Sequence, residues 1–261
     1  MGYTLYIFIF VLGAIAGSFL NVCIYRMAKG DSVIWPRSHC PHCRKDIPWY
    51  DNIPIISFIV LKGRCRSCNG KIRFRYILVE ILTASMALLL FSTCGLGPKF
   101  YAYSVFVCAL IVATFIDFEI QEIPDEISLG GLAAGLILAF IFPSLMNSHS
   151  HTRALIGSLI GAFAGGASIY IMGVIGTIIF KKDAMGGGDV KLMAMIGAFL
   201  GLKMAAVAFF IAPVFGALAG MALKMRDGRE IIAYGPYLSL GAIVALLYGD
   251  KILGLFFYGL I

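Results

Sequence analysis

The chain has 261 residues, 60% of them hydrophobic and 13% charged, with a mean hydropathy of +0.92. A soluble domain is about half apolar and about a quarter charged, so the composition excludes a soluble enzyme, a disordered tail and a secreted disulfide scaffold. The net charge of +7 is local: residues 26–75 hold eleven Lys and Arg against Asp31, Asp46 and Asp51, which exceeds the surplus of the whole chain. This pattern points to a membrane protein with one basic polar insert, and away from a nucleic-acid partner.

The first apolar run covers residues 3–23. No basic residue precedes it and it is longer than a signal-peptide core, so it reads as a first span. Arg26 and Lys29 follow it, which favours an N-terminus outside. Further apolar runs cover residues 76–94, 100–116, 127–142, 154–180, 190–201, 204–225 and 231–247, the last able to extend past Gly249-Asp250-Lys251. The expectation is an all-α polytopic membrane protein of about eight transmembrane helices. Its organisation reads as residues 1–25, a first transmembrane helix; 26–75, a cytosolic zinc-binding domain; and 76–261, a transmembrane catalytic bundle. The run 190–201 is short for a span of about 20 residues. It must be shielded by neighbours or re-entrant. With the N-terminus outside, segments on the inner side carry 17 Lys and Arg and those on the outer side carry 4. That split agrees with the positive-inside rule. Lys181, Lys182 and Lys191 then read as inner-side anchors.

Small residues recur at helical spacing in Gly13/Gly17, Gly131/Gly135, Gly157/Gly161/Gly165 and Gly216/Gly220. Such rows let helix backbones approach closely in lipid. No soluble repeat and no low-complexity tract is evident.

Seven cysteines are present. Cys23, Cys94 and Cys108 lie in apolar runs, where a thiol packs as a small hydrophobe. The other four form Cys40-x2-Cys43 and Cys65-x2-Cys68, the spacing of a four-thiolate zinc site. An insert of this size and polarity cannot build a core alone, and bound zinc would supply the missing folding energy. Two disulfides are the alternative, which a cytosolic placement disfavours. His39 and His42 are possible substitutes for one thiolate. A closed four-thiolate site has no open position, so the expected zinc is structural.

Acids are scarce in the apolar part, which makes each informative. Asp117 ends one run in Ala113-Thr-Phe-Ile-Asp117. Asp189 heads another in Gly186-Gly-Gly-Asp189-Val-Lys191. The expected topology puts both at the cytosolic boundary, with two spans between them, so they are able to meet. Two facing carboxylates share a proton and can hydrolyse a peptide: one deprotonates water, the other polarises the carbonyl. The glycines would admit an extended substrate strand. Other readings stay open: a solvated boundary acid, a charge complementing a helix dipole, or a phosphate-binding turn, though the Gly-Lys-Ser/Thr ending of a P-loop is missing. Asp125 after Pro124 reads as a helix N-cap. Glu119, Glu122 and Glu126 read as solvated or gating charges.

These residues together resemble the bacterial type IV prepilin peptidases, membrane aspartic proteases of the Gly-x-Gly-Asp type. The matching motifs run nearly end to end: Gly17-Ser-Phe-Leu-Asn21-Val, both cysteine knuckles, Trp49-Tyr-Asp51-Asn-Ile-Pro54, Arg75-Tyr-x-Leu-Val-Glu80, Asp117 to Asp125, Gly-x-Gly-Asp189-x-Lys191 and Tyr234-Gly-Pro-Tyr-Leu238. The resemblance implies cleavage of the basic leader from prepilins and pseudopilins, after a Gly, at the cytosolic face of the bacterial inner membrane. Asp117 and Asp189 match its catalytic pair. It also implies N-methylation of the new N-terminal residue with S-adenosylmethionine. Gly63 and Arg64 are the candidate methyl-donor region, although a turn leading into a knuckle explains them equally well. No Gly-x-Gly-x-x-Gly loop is present. The insert and the leader are both basic, so leader recognition falls to Asp117, Glu119, Glu122, Asp125 and Glu126, and to burial of the pilin's apolar helix. The partners implied are prepilins, pseudopilins and membrane lipid. An ion-coupled transporter or channel using the same acids as a proton relay is the alternative, and a zinc-stabilised scaffold without chemistry is a third reading.

Overall fold

The computed structural model describes residues 2–35, 37–181, 185–227 and 233–258. The expectations for Lys182 and for the start of the last span at 231 fall outside them. Among the described residues the elements are helical: α1 (Gly2–Met27), α2 (Ile56–Val60), α3 (Arg75–Cys94), α4 (Pro98–Ile120), α5 (Asp125–Ile141), α6 (His151–Phe180), α7 (Gly187–Asp227) and α8 (Gly235–Tyr258). Strand pairing among the described residues is limited to two isolated bridges in the polar insert. The all-α polytopic class therefore holds. Among the described residues, six helices are long and apolar enough to cross a membrane: α1, α3, α4, α6, α7 and α8.

Two features connect these six with the eight apolar runs. Helix α7 is interrupted at Gly201, whose φ of 73° and ψ of 174° leave the helical region. The break falls between the runs 190–201 and 204–225. Helix α5 has 17 residues, at the short end of a span. The segment before Gly201 is shielded, because Leu192, Met193, Met195, Ile196 and Ala198 are fully buried. Helix α8 continues through Gly249-Asp250-Lys251.

Helix ends follow local chemistry. Pro98 opens α4 in its first turn, where the missing N–H costs nothing. Gln121 and Lys181 close α4 and α6 in the left-handed conformation (φ 55° and 54°). Pro143 follows the end of α5.

The chain forms two compact units, Met1–Leu96 and Gly97–Ile261. In the first, α1 packs on α3 along the Gly13/Gly17 row. A Cβ on either glycine would stand 2.7 Å from the Cα of Ala84 or Glu80. In the second, α6 crosses the first half of α7 backbone to backbone: a Cβ on Gly161 or Gly197 would strike the facing residue's carbonyl. The buried Ser158 hydroxyl donates to the Ala198 carbonyl beside this crossing (2.6 Å). Lipid removes the hydrophobic drive between spans, so such close packing and buried hydrogen bonds hold them together. Phe106 of α4 stacks on Phe199 of α7, ring centroids 4.8 Å apart. Phe163, Ile178 and Phe210 stay at least 72% exposed, as expected of side chains whose solvent is lipid.

Candidate active site

Asp117 and Asp189 are 72 residues apart in sequence, and the second unit brings them together at three helix ends. Asp117 stands in the last turn of α4, Asp189 in the first turn of α7, and Gly235 opens α8. Asp117 is buried, at 5% exposure. The Gly235 N–H donates to its Oδ2 (2.9 Å). Asp189 is half-buried, and the Gly186 N–H donates to its Oδ2 (3.3 Å). The Asp117 carboxylate is close enough for its charge to act on Asp189. The N-termini of α7 and α8 both present the positive end of a helix dipole to the pair.

The Gly186–Asp189 contact has a structural side too. A side chain three residues into a helix reaching back to the N-cap N–H is one half of a capping box. The helix-terminus reading and the paired-carboxylate reading of Asp189 are thus compatible.

The glycines fit tightly. A Cβ on Gly235 would lie 2.8 Å from Asp117 Oδ2 and 3.0 Å from Ile123 Cδ1. One on Gly188 would lie 3.2 Å from Ile123 Cβ. Ile123, in the short link between α4 and α5, is buried between these glycines and fixes their approach. Tyr234 flanks the site. Burial first, then the Asp189 carboxylate, push its phenol up to about 12. The Tyr234-Gly235 motif carries no role from the sequence alone. Its physical signal was available: a glycine before a proline that opens a helix.

One reading needs correction. Asp125 is not the N-cap of α5. Pro124 occupies that position with extended backbone and Asp125 is the first helical residue. Its carboxylate is drawn instead to Lys191 Nζ (2.6 Å). Lys191 is therefore paired with an acid as well as lying near the end of a span. Glu119, Glu122 and Glu126 are exposed.

In the first unit the four knuckle cysteines converge, with all four sulfurs within 4.8 Å of one another. Cys40 Sγ and Cys68 Sγ are 3.8 Å apart. Tetrahedral zinc with Zn–S bonds of about 2.3 Å needs S···S separations of about 3.8 Å, so the donor set fits such an ion. His39 and His42 are not among the converging donors. The two knuckles are one fold used twice. Cys40 and Cys65 N–H donate to Lys45 and Gly70 carbonyls; Arg44 and Asn69 N–H donate to Cys40 and Cys65; Ile47 and Ile72 N–H donate to Ser38 and Gly63. Arg44 and Asn69 both adopt positive φ. This repeat escaped the sequence because only the cysteines and the final Ile are shared.

Gly63 has φ +67°, and its Cβ direction is filled by the Phe58 ring. Arg64 is exposed and bridges Lys71 across the knuckle. The motif residues 49–54 act as a buckle. Asp51 receives a bidentate Arg66 guanidinium (2.7–3.1 Å), which holds its carboxyl below the usual carboxylate range. The Ile55 N–H donates to the buried Glu80 (2.7 Å).

Residues 11–94 match the family model described as the bacterial peptidase A24 N-terminal domain, and residues 104–221 that of the type IV leader peptidase family. A multi-pass helical protein that matches a peptidase family across its bundle is a membrane peptidase. The chain belongs to the type IV leader peptidase family. Proteins named prepilin leader peptidase/N-methyltransferase are similar to it. The one from Bacillus subtilis (strain 168) is 34% identical over 253 residues, covering 95% of this chain and 96% of that protein. The one from Myxococcus xanthus (strain DK1622) is 37% identical over 85% of this chain, which spans 64% of that protein's length. A type 4 prepilin-like proteins leader peptide-processing enzyme of Escherichia coli O78:H11 is 39% identical, covering 90% of each chain. No solved structure matches the chain.

Proposed function

We propose that the chain cleaves the basic leader from type IV prepilins and pseudopilins after a Gly, at the cytosolic face of the bacterial inner membrane, with Asp117 and Asp189 as the catalytic pair. The observation that carries the reading is the meeting of these two carboxylates, each held by a backbone N–H at helix ends. In the proposed step one carboxylate, ionised, takes a proton from water, and the water oxygen attacks the scissile carbonyl carbon. The other carboxyl, protonated, donates its proton to the carbonyl oxygen. The tetrahedral intermediate collapses as the leaving nitrogen takes the proton from the first carboxyl, one hydroxyl returns its proton to the second carboxylate, and the C–N bond breaks. The exposed Glu119, Glu122 and Glu126 beside Asp117 suit a basic leader. Family membership leaves the transporter reading without support.

Cys40, Cys43, Cys65 and Cys68 would hold a structural zinc, which supplies folding energy to the insert. The relatives' names support N-methylation of the new N-terminal amine, for which S-adenosylmethionine would supply an electrophilic methyl group. The exposed Arg64 suits the carboxylate of such a donor. Gly63, its Cβ direction filled by Phe58, offers no cradle.

The test is co-expression with a prepilin. Asp117→Asn and Asp189→Asn should each lower processing by roughly 10³-fold or more, with membrane insertion unchanged. Mature pilin from either variant at the wild-type rate would sink the pair.

A further inference from the structure

The cysteine sulfurs and the carboxylate pair leave one concave region of the first unit without a role. A cavity of about 520 Å³ opens where α1 ends. Tyr25, Arg26, Lys29, Asp31, Trp35 and Arg44 line it, so three cations face one acid. The first knuckle contributes to the same wall through His39 and Pro41 as well as Arg44. The volume lies in the range of small-ligand pockets, about 300–1,000 Å³.

We propose that this cavity binds the phosphate headgroup of an anionic phospholipid. Depth is the first argument. The span Tyr3–Met27 has 25 residues, about 38 Å of helix against a hydrocarbon core of about 30 Å. Its last turn, which carries Tyr25 and Arg26, therefore reaches the headgroup layer. Tyr and Trp beside Lys and Arg are the side chains that settle at that depth.

Donor geometry is the second argument. Arg26 is buried at 6% exposure. Its Nη1 donates to the Ser32 and Val33 carbonyls (3.1 Å each) and its Nη2 to the Arg37 carbonyl (3.4 Å). It shapes the wall and adds charge from behind. The direct ligands are Lys29 and Arg44, both exposed. Among the described residues, Lys29 spends one of its three N–H groups, on the Tyr25 hydroxyl (2.7 Å). Asp31 and Ser32, which also line the cavity, suit the hydroxyls of a glycerol headgroup. The Asp31 carboxylate would repel a bare phosphate, whereas a glycerol hydroxyl can donate to it, which favours the lipid over the free ion. A headgroup seated here would tie the first knuckle to the membrane surface, because the end of α1 and the knuckle share one ligand.

Native mass spectrometry of the full chain, released from bilayers of phosphatidylglycerol or of phosphatidylethanolamine, tests this. The expected result is preferential retention of phosphatidylglycerol. Its apparent affinity should weaken about thirtyfold in Lys29→Gln/Arg44→Gln, the change expected from removing two basic groups beside an anionic headgroup. Metal content and melting temperature in phosphatidylethanolamine report whether that variant is folded. If it is not, the single variant Lys29→Gln should weaken retention about fivefold. Equal retention of the two lipids, or unchanged affinity in a folded variant, would overturn the assignment. So would displacement of the lipid by millimolar inorganic phosphate, which would make the ligand a soluble phosphoryl group. Displacement by S-adenosylmethionine would make it the methyl donor. Prepilin processing is scored separately, since this site stands whether or not Asp117 and Asp189 are catalytic.

Discussion

Asp117 accepts its hydrogen bond from a glycine that has no space for a side chain. Gly235→Ala keeps that N–H but sets a methyl group 2.8 Å from the carboxylate and 3.0 Å from Ile123. One of the three must move. Prepilin processing should fall by roughly tenfold to a hundredfold, the cost of misplacing a reacting group by a fraction of an ångström to an ångström. Overpacking should lower stability by only about 1–3 kcal/mol. A processing time course beside a thermal melt separates the two, and full activity in a normally folded variant would remove Gly235 from the site. The Lys191–Asp125 pair is a different matter. Both side chains are well exposed (39% and 58%), so the pair contributes at most about 1 kcal/mol.

At the scale of elements, the insert carries the sharpest contrast. Among the described residues, 28–74 include only one short helix and one 3-10 turn, and few of their apolar side chains are buried. Ile34, Trp35, Trp49, Ile59 and Val60 are all more than 60% exposed. Order here depends on the two knuckles and the Asp51–Arg66 and Glu80–Ile55 clasps. The purified protein should therefore carry zinc. Cys43→Ser/Cys68→Ser should lose the metal and, with it, a folding contribution of about 10 kcal/mol or more. Limited proteolysis should then cut between residues 30 and 74 while α4 to α8 stay protected. A metal-free wild type with the same resistance would refute the zinc site. The cysteine spacing made the converging thiols legible. Their hairpin repeat was not legible, because backbone hydrogen bonds and positive-φ positions define it and several residue types tolerate both. The break in α7 was half legible: two apolar runs flanked Gly201, but only its backbone angles end one helix and begin the next.

For the molecule as a whole, the distribution of Lys and Arg makes the orientation testable. With the insert inside, alkaline phosphatase fused after Lys71 should be inactive and after Ser148 active. The reverse pattern would invert the proposed topology and detach the carboxylates from the cytosolic face.

Composition, hydrophobic run lengths and the Cys-x2-Cys spacing determined the membrane class, most of the helices and the four cysteines that converge, because each is a property of one segment and its solvent. The scarce acids were visible for the same reason: an ionisable group in an apolar run needs an explanation. What faces each acid was decided only by the tertiary structure. Asp125 turned from a cap into a partner of Lys191, and Gly235 became the donor to Asp117. Such contacts join helix ends far apart in the chain, and no local period or propensity records them.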